Sequence, residues 1–355
     1  MTLRAVMVPL QSNPYNELLA DAVRAQGIEV VAGQGPGRFP VLPLVFAWLR
    51  ARRPKVLHMH WPHRYLRPRY RMASLGRRGT TFELRLLRRL GVRIVWTIHN
   101  VGAHDAGRSD DEQRGHAAIA SVCHAMICHC DAAASLAADA WGLDAATRAR
   151  IHVIPHGNYV GVYPDTYDRE AARAELGLAS GETAFLFLGQ VRPYKGVLEL
   201  IEVFRSIERE DIRLVVAGQS ERQELSETLR DAADGDPRII LRRGHVKDTK
   251  MQLFLRGADV MVLPYRDVLT SGSAILGMTF GLPVIAPRIG CLPETLEDCS
   301  ILYPDQPGGL RAALEEALRS DLPALGQRGA EVAAGLDWGS IGARTAALYR
   351  GAGDV

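Results

Sequence analysis

Twelve short apolar runs recur along the chain, six in each half: "LRAVMVPL", "IEVVAG", "KVLHMHW", "VRIVWTIHN", "HAMICHC" and "IHVIPHG", then "AFLFLGQ", "IRLVVAGQ", "RIILRRG", "DVMVLPY", "LPVIAP" and "SILYP". Between them lie segments such as "NELLADAVRAQG" and "GVLELIEVFRSIE", whose apolar residues fall at the three- and four-residue spacing of a helix with one buried face. Strands that are apolar at nearly every position, joined by helices, belong to parallel sheets covered on both faces. The pattern predicts an α/β protein with two doubly wound domains. Gly, Pro, Tyr and Asp interrupt the periodicity over residues 156–178, so we expect a first domain at 1–160 and a second at 161–335. Residues 336–355 read as a terminal helix that crosses back to the first domain.

Length supports two cores, since 355 residues exceed what one hydrophobic core organises. No apolar stretch is long enough to span a bilayer, and "MTLRAVMVPLQ" lacks the features of a signal peptide. A cytoplasmic protein is expected, and its five cysteines form no even disulfide framework. The net charge of +3 hides a strong local imbalance, because residues 50–93 carry fourteen Lys or Arg and one acid, Glu83. Sparse aromatics and the absence of a nucleic-acid motif argue against DNA or RNA. An anionic membrane surface or an acidic acceptor suits a Leu-interleaved basic segment, as does a simple solvated face.

One stretch invites a metal reading. "SVCHAMICHC", residues 121–130, holds three cysteines and two histidines. On a strand, His124 and Cys130 share a face but lie about 20 Å apart, far beyond the reach of one ion. It is therefore read as buried strand, and no metal site is expected. "DGD" at 234–236 is read as a turn, and His58 and His60 in "HMHWPH" as strand-end or packing residues. A dinucleotide-binding first turn is excluded, because "LQSNPYNELL" follows the first strand where a Gly-rich loop would be needed.

In parallel sheets ligands sit beyond the carboxyl ends of the strands. Two loops there carry chemistry. In "FLFLGQVRPYKG", residues 185–196, Gly189 closes a strand and Arg192 and Lys195 follow just before a helix starting near Val197. Two cations beside a helix N-terminus make a receptor for a diphosphate. In "LPYRDVLTSGSAILGMTFGLPVIAP", residues 263–287, Thr270 or Ser271 can cap the helix that follows, and Gly272 lets a ligand approach the backbone.

"GQVRPYKG", "VVAGQ", "RRGHVKD", "LFLRGADVMVLPY", "SGS" before "GLPVIAP", and "GCLPE" occur in one collinear series. Together they resemble the nucleotide-sugar domain of GT-B glycosyltransferases of the large group that includes family 4. "VLHMHWP", "VWTIHNVGAHD" and "IHVIPHGNY" resemble strands of that fold's acceptor domain. The resemblance implies a GT-B fold, two Rossmann-like domains facing a cleft. It implies metal-independent transfer of a hexose-type sugar from a GDP- or UDP-sugar to a hydroxyl of a glycan, glycolipid or lipid-linked acceptor. It places such an enzyme at the inner face of the cytoplasmic membrane, with no cofactor beyond the donor substrate.

By matching positions, Arg192 and Lys195 would neutralise the departing diphosphate. Gly189, Gly218, Thr270, Ser271, Gly272 and Ser273 would line the donor site, and Gly244, His245 and Val246 would hold the nucleobase. His99 matches a histidine that faces the donor sugar, with His104 and Asp105 placed to orient the acceptor or act as base. One departure stands out: the family's two glutamates fall on Val268 and Leu276, which leaves Asp267 as the nearest carboxylate for the sugar. A retaining outcome is implied by the family but put in question by this loss. A nucleotide-sugar epimerase and a silent binding protein of the same fold are the alternatives.

Overall fold

The computed structural model describes residues 2–10, 13–33, 42–62, 73–102, 110–296 and 298–351. The chain divides into two compact units, one formed by residues 1–157 and 337–355 and the other by residues 158–336.

Unit 1 runs β1 (Arg4–Val8), α1 (Pro14–Ala25), β2 (Glu29–Ala32), α2 (Pro43–Arg50), β3 (Val56–Met59), α3 (Ala73–Arg89), β4 (Arg93–Thr97), α4 (Asp110–Val122), β5 (Ala125–Cys128), α5 (Asp131–Ala140), α6 (Ala145–Arg148) and β6 (Ile151–Val153). Its six strands are all parallel, in the order β2-β1-β3-β4-β5-β6. The order reverses between β1 and β3, which opens a crevice at their carboxyl ends.

Unit 2 runs α7 (Arg169–Leu176), β7 (Thr183–Leu188), α8 (Val197–Arg205), β8 (Ile212–Gly218), α9 (Gln223–Ala233), β9 (Ile239–Arg243), α10 (Asp248–Gly257), β10 (Val260–Val262), α11 (Gly272–Thr279), β11 (Val284–Pro287), α12 (Leu292–Leu296), β12 (Ser300–Tyr303), α13 (Gly309–Ala317) and α14 (Leu322–Gly335). Its parallel sheet has the order β12-β11-β10-β7-β8-β9, with the reversal between β7 and β10. Each of the twelve apolar runs thus contains a strand. Buried Phe185, Phe187, Leu214, Val216 and Ile285 from this sheet pack with Phe204 and Leu314 from the helices.

The chain then returns to unit 1 as α15 (Trp338–Arg350), capped by Asp337, whose carboxylate accepts from Ser340 N–H at 2.8 Å. Its Ile341, Leu348 and Tyr349 join Tyr15, Leu19 and Val23 of α1 in the core over β1, β4 and β5. Close approach of α15 to α1 depends on Gly342, where a Cβ would sit 2.6 Å from Ala22 O. The stretch read as buried strand holds β5, and Cys130 beyond it caps α5 by accepting from Ala133 N–H at 3.2 Å. Asp234 ends α9, and Gly235 at φ +75° with Asp236 forms the expected turn. Among the described residues no helix is long and apolar enough to cross a membrane.

Candidate functional site

Unit 2 concentrates its chemistry at the reversal between β7 and β10. Three glycines shape the ground there. Gly189 ends β7 at φ +139°, and a Cβ on Gly218, at the end of β8, would lie 1.8 Å from its carbonyl oxygen. Gly196, at φ +67°, presses against the loop after β10, where a Cβ would meet Pro264 O at 2.0 Å. Arg266 N–H donates to Tyr194 O at 2.8 Å across the same junction, so the two loops that carry the candidate residues are one rigid piece.

On this base Lys195 and Ser273 converge over Gly189. From the point a Gly189 Cβ would occupy, Lys195 Nζ is 3.5 Å away and Ser273 Oγ 3.8 Å. The ammonium lies 5.9 Å from the Phe187 ring centroid and 5.6 Å from that of Tyr265, a hold that orients the charge without neutralising it. Among the described residues Lys195 makes no ion pair. Arg192 differs, since its Nε lies 3.6 Å from the Glu221 carboxylate, which lends that guanidinium a counter-charge. Helix α11 begins beside Ser273, and its first N–H groups have no intrahelical acceptor. An ammonium, a hydroxyl and a helix N-terminus around bare backbone form an anion seat.

Of the two residues able to cap α11, Ser271 is the one that does so. It is buried, its Oγ accepts from Ala274 N–H at 3.2 Å as the helix cap, and its hydroxyl donates to Tyr265 Oη at 3.3 Å. Thr270 Oγ1 lies 3.5 Å from Cys291 Sγ, Gly272 opens α11, and Asp267 is exposed on the loop between them and β10. Val268 and Leu276 are both buried. Gly244, His245 and Val246 lie on the wall of an open cavity of ≈ 1100 Å³ beyond β8 and β9, together with Gln219, Arg242 and Lys247.

In unit 1, β3, β4, β5 and β6 are each followed within three residues by a histidine: His60, His99, His129 and His156. Their rings surround Tyr15 at the start of α1, with centroids 6.0, 5.1, 5.3 and 4.6 Å from it. All but His99 are buried. Burial pushes His129 down to about 4 and His156 to about 3, and drives His60 well below its ordinary value. His58, also down to about 3 through burial, meets Tyr349 Oη at 2.6 Å and Thr97 Oγ1 at 2.8 Å, so it ties α15 to the sheet. Among the described residues no three His, Cys, Asp or Glu converge as metal ligands. His104 and Asp105 lie outside the described residues. The sequence reading placed His58 and His60 as packing or strand-end residues and overlooked the ring cluster; its signal was the histidine after each of four consecutive strands.

Residues 182–320, most of unit 2, match the family model described as Glycosyl transferases group 1. A GDP-mannose:glycolipid 4-beta-D-mannosyltransferase of Xanthomonas campestris pv. campestris is 26% identical over 236 residues, covering 65% of this chain and 61% of that protein. A D-inositol 3-phosphate glycosyltransferase of Segniliparus rotundus is 27% identical over 284 residues, covering 74% and 62%. The chain thus spans about three fifths of the length of these relatives. Among solved structures, sucrose-phosphate synthase of Thermosynechococcus elongatus superposes with a TM-score of 0.76 at 18% identity, covering 98% of both chains. Anabaena HepE in complex with UDP-glucose gives 0.74 at 13%, covering 98% of this chain and 100% of its own. The architecture is the GT-B fold that the sequence motifs resemble.

Proposed function

We propose that this chain, whose second unit carries a group 1 glycosyltransferase domain on a GT-B fold, transfers a hexose-type sugar from a nucleotide-diphosphate sugar to a hydroxyl of a glycolipid or lipid-linked glycan. The observation that carries the reading is the Lys195 ammonium, held over Gly189 beside Ser273 and the start of α11 with no ion pair among the described residues. A diphosphate leaving group gathers negative charge as the glycosidic bond breaks, and a fixed cation stabilises that charge without a metal ion. Arg192 adds a second cation, and Glu221 holds its guanidinium until a stronger anion arrives. GDP- and UDP-sugars are the donor candidates: one relative's name specifies GDP-mannose, and one similar structure holds UDP-glucose.

The nucleobase is assigned to the cavity bounded by Gly244, His245 and Val246. His99 and Asp267 are retained as catalytic assignments. Buried Val268 and Leu276 stand where the family's two glutamates would support a retaining outcome. That same loss favours a second reading, a nucleotide-sugar-binding protein without turnover. Thermal shift with UDP, GDP and their sugars tests the donor site, and release of nucleoside diphosphate on adding a glycolipid separates turnover from binding. Lys195→Ala is expected to weaken donor binding on the order of 100-fold; undiminished stabilisation in that variant would remove the assigned seat.

An anionic membrane is the proposed surface on which a lipid-linked acceptor is met. Helices α2 and α3 are clamped by buried Glu83, which accepts from Leu44 N–H at 2.7 Å and Val45 N–H at 3.0 Å. They expose Phe46, Leu49 and Phe82 to solvent together with Arg50, Arg85, Arg88 and Arg89. Apolar side chains among arginines suit the interface of an anionic bilayer. Arg64, Arg67, Arg69 and Arg71 of the basic segment lie outside the described residues. Each basic residue near such a surface contributes about 1 kcal/mol, so Arg85→Glu with Arg89→Glu should weaken sedimentation with phosphatidylglycerol vesicles at least tenfold. Equal sedimentation of the variant would dismiss the membrane surface.

A further inference from the structure

The histidine cluster of unit 1 joins His99 to a buried partner, His60. His60 Nδ1 lies 3.2 Å from His99 Nε2, a hydrogen bond between two imidazoles. His60 is 1% exposed, and its Nε2 is buried with no hydrogen-bond partner among the described residues. Its other neighbours are rings: His58 at 4.4 Å, Trp61 at 5.9 Å and Tyr15 at 6.0 Å between centroids. His99 is half-buried, stacked on Trp61 at 4.6 Å with planes 19° apart and met edge-on by Tyr15.

A buried imidazole among apolar rings and other histidines stays neutral and carries one proton. That proton has two possible places. On Nε2 of His60 it would be a buried N–H donor with no acceptor, while His99 donated into Nδ1. On Nδ1 it is given to His99 Nε2, and what remains unpartnered is a bare nitrogen. Orphaned buried N–H groups are the rarer and costlier case. Two neighbours show the same choice: His129 Nδ1 at 2.9 Å from Ile154 O and His156 Nδ1 at 2.8 Å from Gly157 O must both donate, because a carbonyl only accepts.

We infer that His60 is a positioning residue that donates from Nδ1 to His99 Nε2 and thereby fixes neutral His99 with its proton on Nδ1. In that tautomer His99 offers a hydrogen-bond donor at Nδ1. Its one lone pair, on Nε2, is held by His60, so His99 does not serve as a general base. Its part in transfer, which rests on the proposed glycosyltransferase reading, is that of a fixed neutral ring and not of a proton acceptor. Trp61 and Tyr15 hold the plane of the ring, and His60 holds its protonation.

The tautomer is read directly from long-range proton–nitrogen correlation spectra of the full-length protein labelled with ¹⁵N-histidine, at about pH 8, where an ordinary imidazole is neutral. His99→Gln assigns the signal. The wild type is expected to show His99 protonated on Nδ1 and bare on Nε2. His60→Phe should release it to the mixed tautomers of a free imidazole. His60→Asn, whose amide N–H replaces Nδ1–H, should keep the native pattern. A wild-type His99 protonated on Nε2 would overturn the inference, as would a His60→Phe spectrum identical to the wild type. Should His60→Phe not fold, the wild-type and His60→Asn spectra still decide. For catalysis, His60→Phe is expected to lower kcat by on the order of 10- to 100-fold with little change in donor KM, and His60→Asn to restore it. A shifted tautomer with unchanged kcat would refute the catalytic consequence, whereas absence of any transfer by the wild type would refute the functional reading and leave the tautomer standing.

Discussion

The two sheets end in opposite kinds of ground. In unit 2 the strand ends are stripped to backbone at Gly189 and Gly218, and the Lys195 cation beside them makes no ion pair among the described residues. In unit 1 the corresponding ends are filled by Tyr15, His60, His99, His129 and His156, aromatic rings in mutual contact. Both lie where a parallel sheet reverses its strand order, so topology supplies the crevice and side chains decide what it receives. Bare backbone and fixed charge receive an anion. Packed rings with few protons to exchange instead orient groups and keep water away.

Acid should separate the units most sharply. The native state holds His58 and His156 at about 3, His124 and His129 at about 4, and His60 well below 6.5, all chiefly through burial. Unfolded histidines titrate near 6.5, so below that pH the unfolded chain takes up protons that the native unit refuses. Stability is unaffected above about 6.5 and is lost as pH falls towards 3–4. Each such group contributes at most about 1.4 kcal/mol per pH unit below 6.5. Glu83, raised to about 7 by burial, opposes this in part: its cost is present above pH 7 and fades as pH falls through its native value. Unit 2 has one histidine, exposed His245. Hydrogen exchange at pH 7 and 5 should show unit 1 opening first; unit 2 opening first would contradict the contrast.

Within unit 2 two glycines should behave differently when given a methyl group. At Gly196 the new Cβ would collide with Pro264 O at 2.0 Å in a left-handed conformation, and Gly196→Ala is expected to cost about 2–4 kcal/mol. At Gly189 the nearest atoms are the Lys195 and Ser273 tips, 3.5 and 3.8 Å away, so Gly189→Ala should cost about 1–2 kcal/mol from its φ alone. Its methyl group nonetheless enters the anion seat and should abolish donor-induced stabilisation. Melting with and without UDP or GDP separates the two, and normal nucleotide binding by Gly189→Ala would mean the seat lies elsewhere.

The candidate site was unevenly legible. Arg192 and Lys195 stood out as cations before a helix, yet only pairing of β7 with β8 brings Glu221 beside Arg192 and not beside Lys195. Ser271 could be read as a cap or as a ligand contact, and the Tyr265 hydroxyl, on a loop folded back over α11, settles its second hydrogen bond. Cys128 and Cys130 drew attention by their chemistry and proved to be a buried strand residue and a helix cap. His60 carried no local signal for its role, because its partner is 39 residues away and meets it only through the pairing of β3 with β4.

By itself the sequence determined the two parallel sheets, because unbroken apolar runs joined by amphipathic helices have one stable arrangement in water. It also determined which loops hold glycine and positive charge. Tertiary structure alone decided which charges are neutralised, which hydroxyls are already used and which nitrogen of His129 and His156 carries the proton. Those outcomes depend on hydrogen bonds of about 3 Å between groups far apart in the chain, and residue type fixes only what each group can donate or accept.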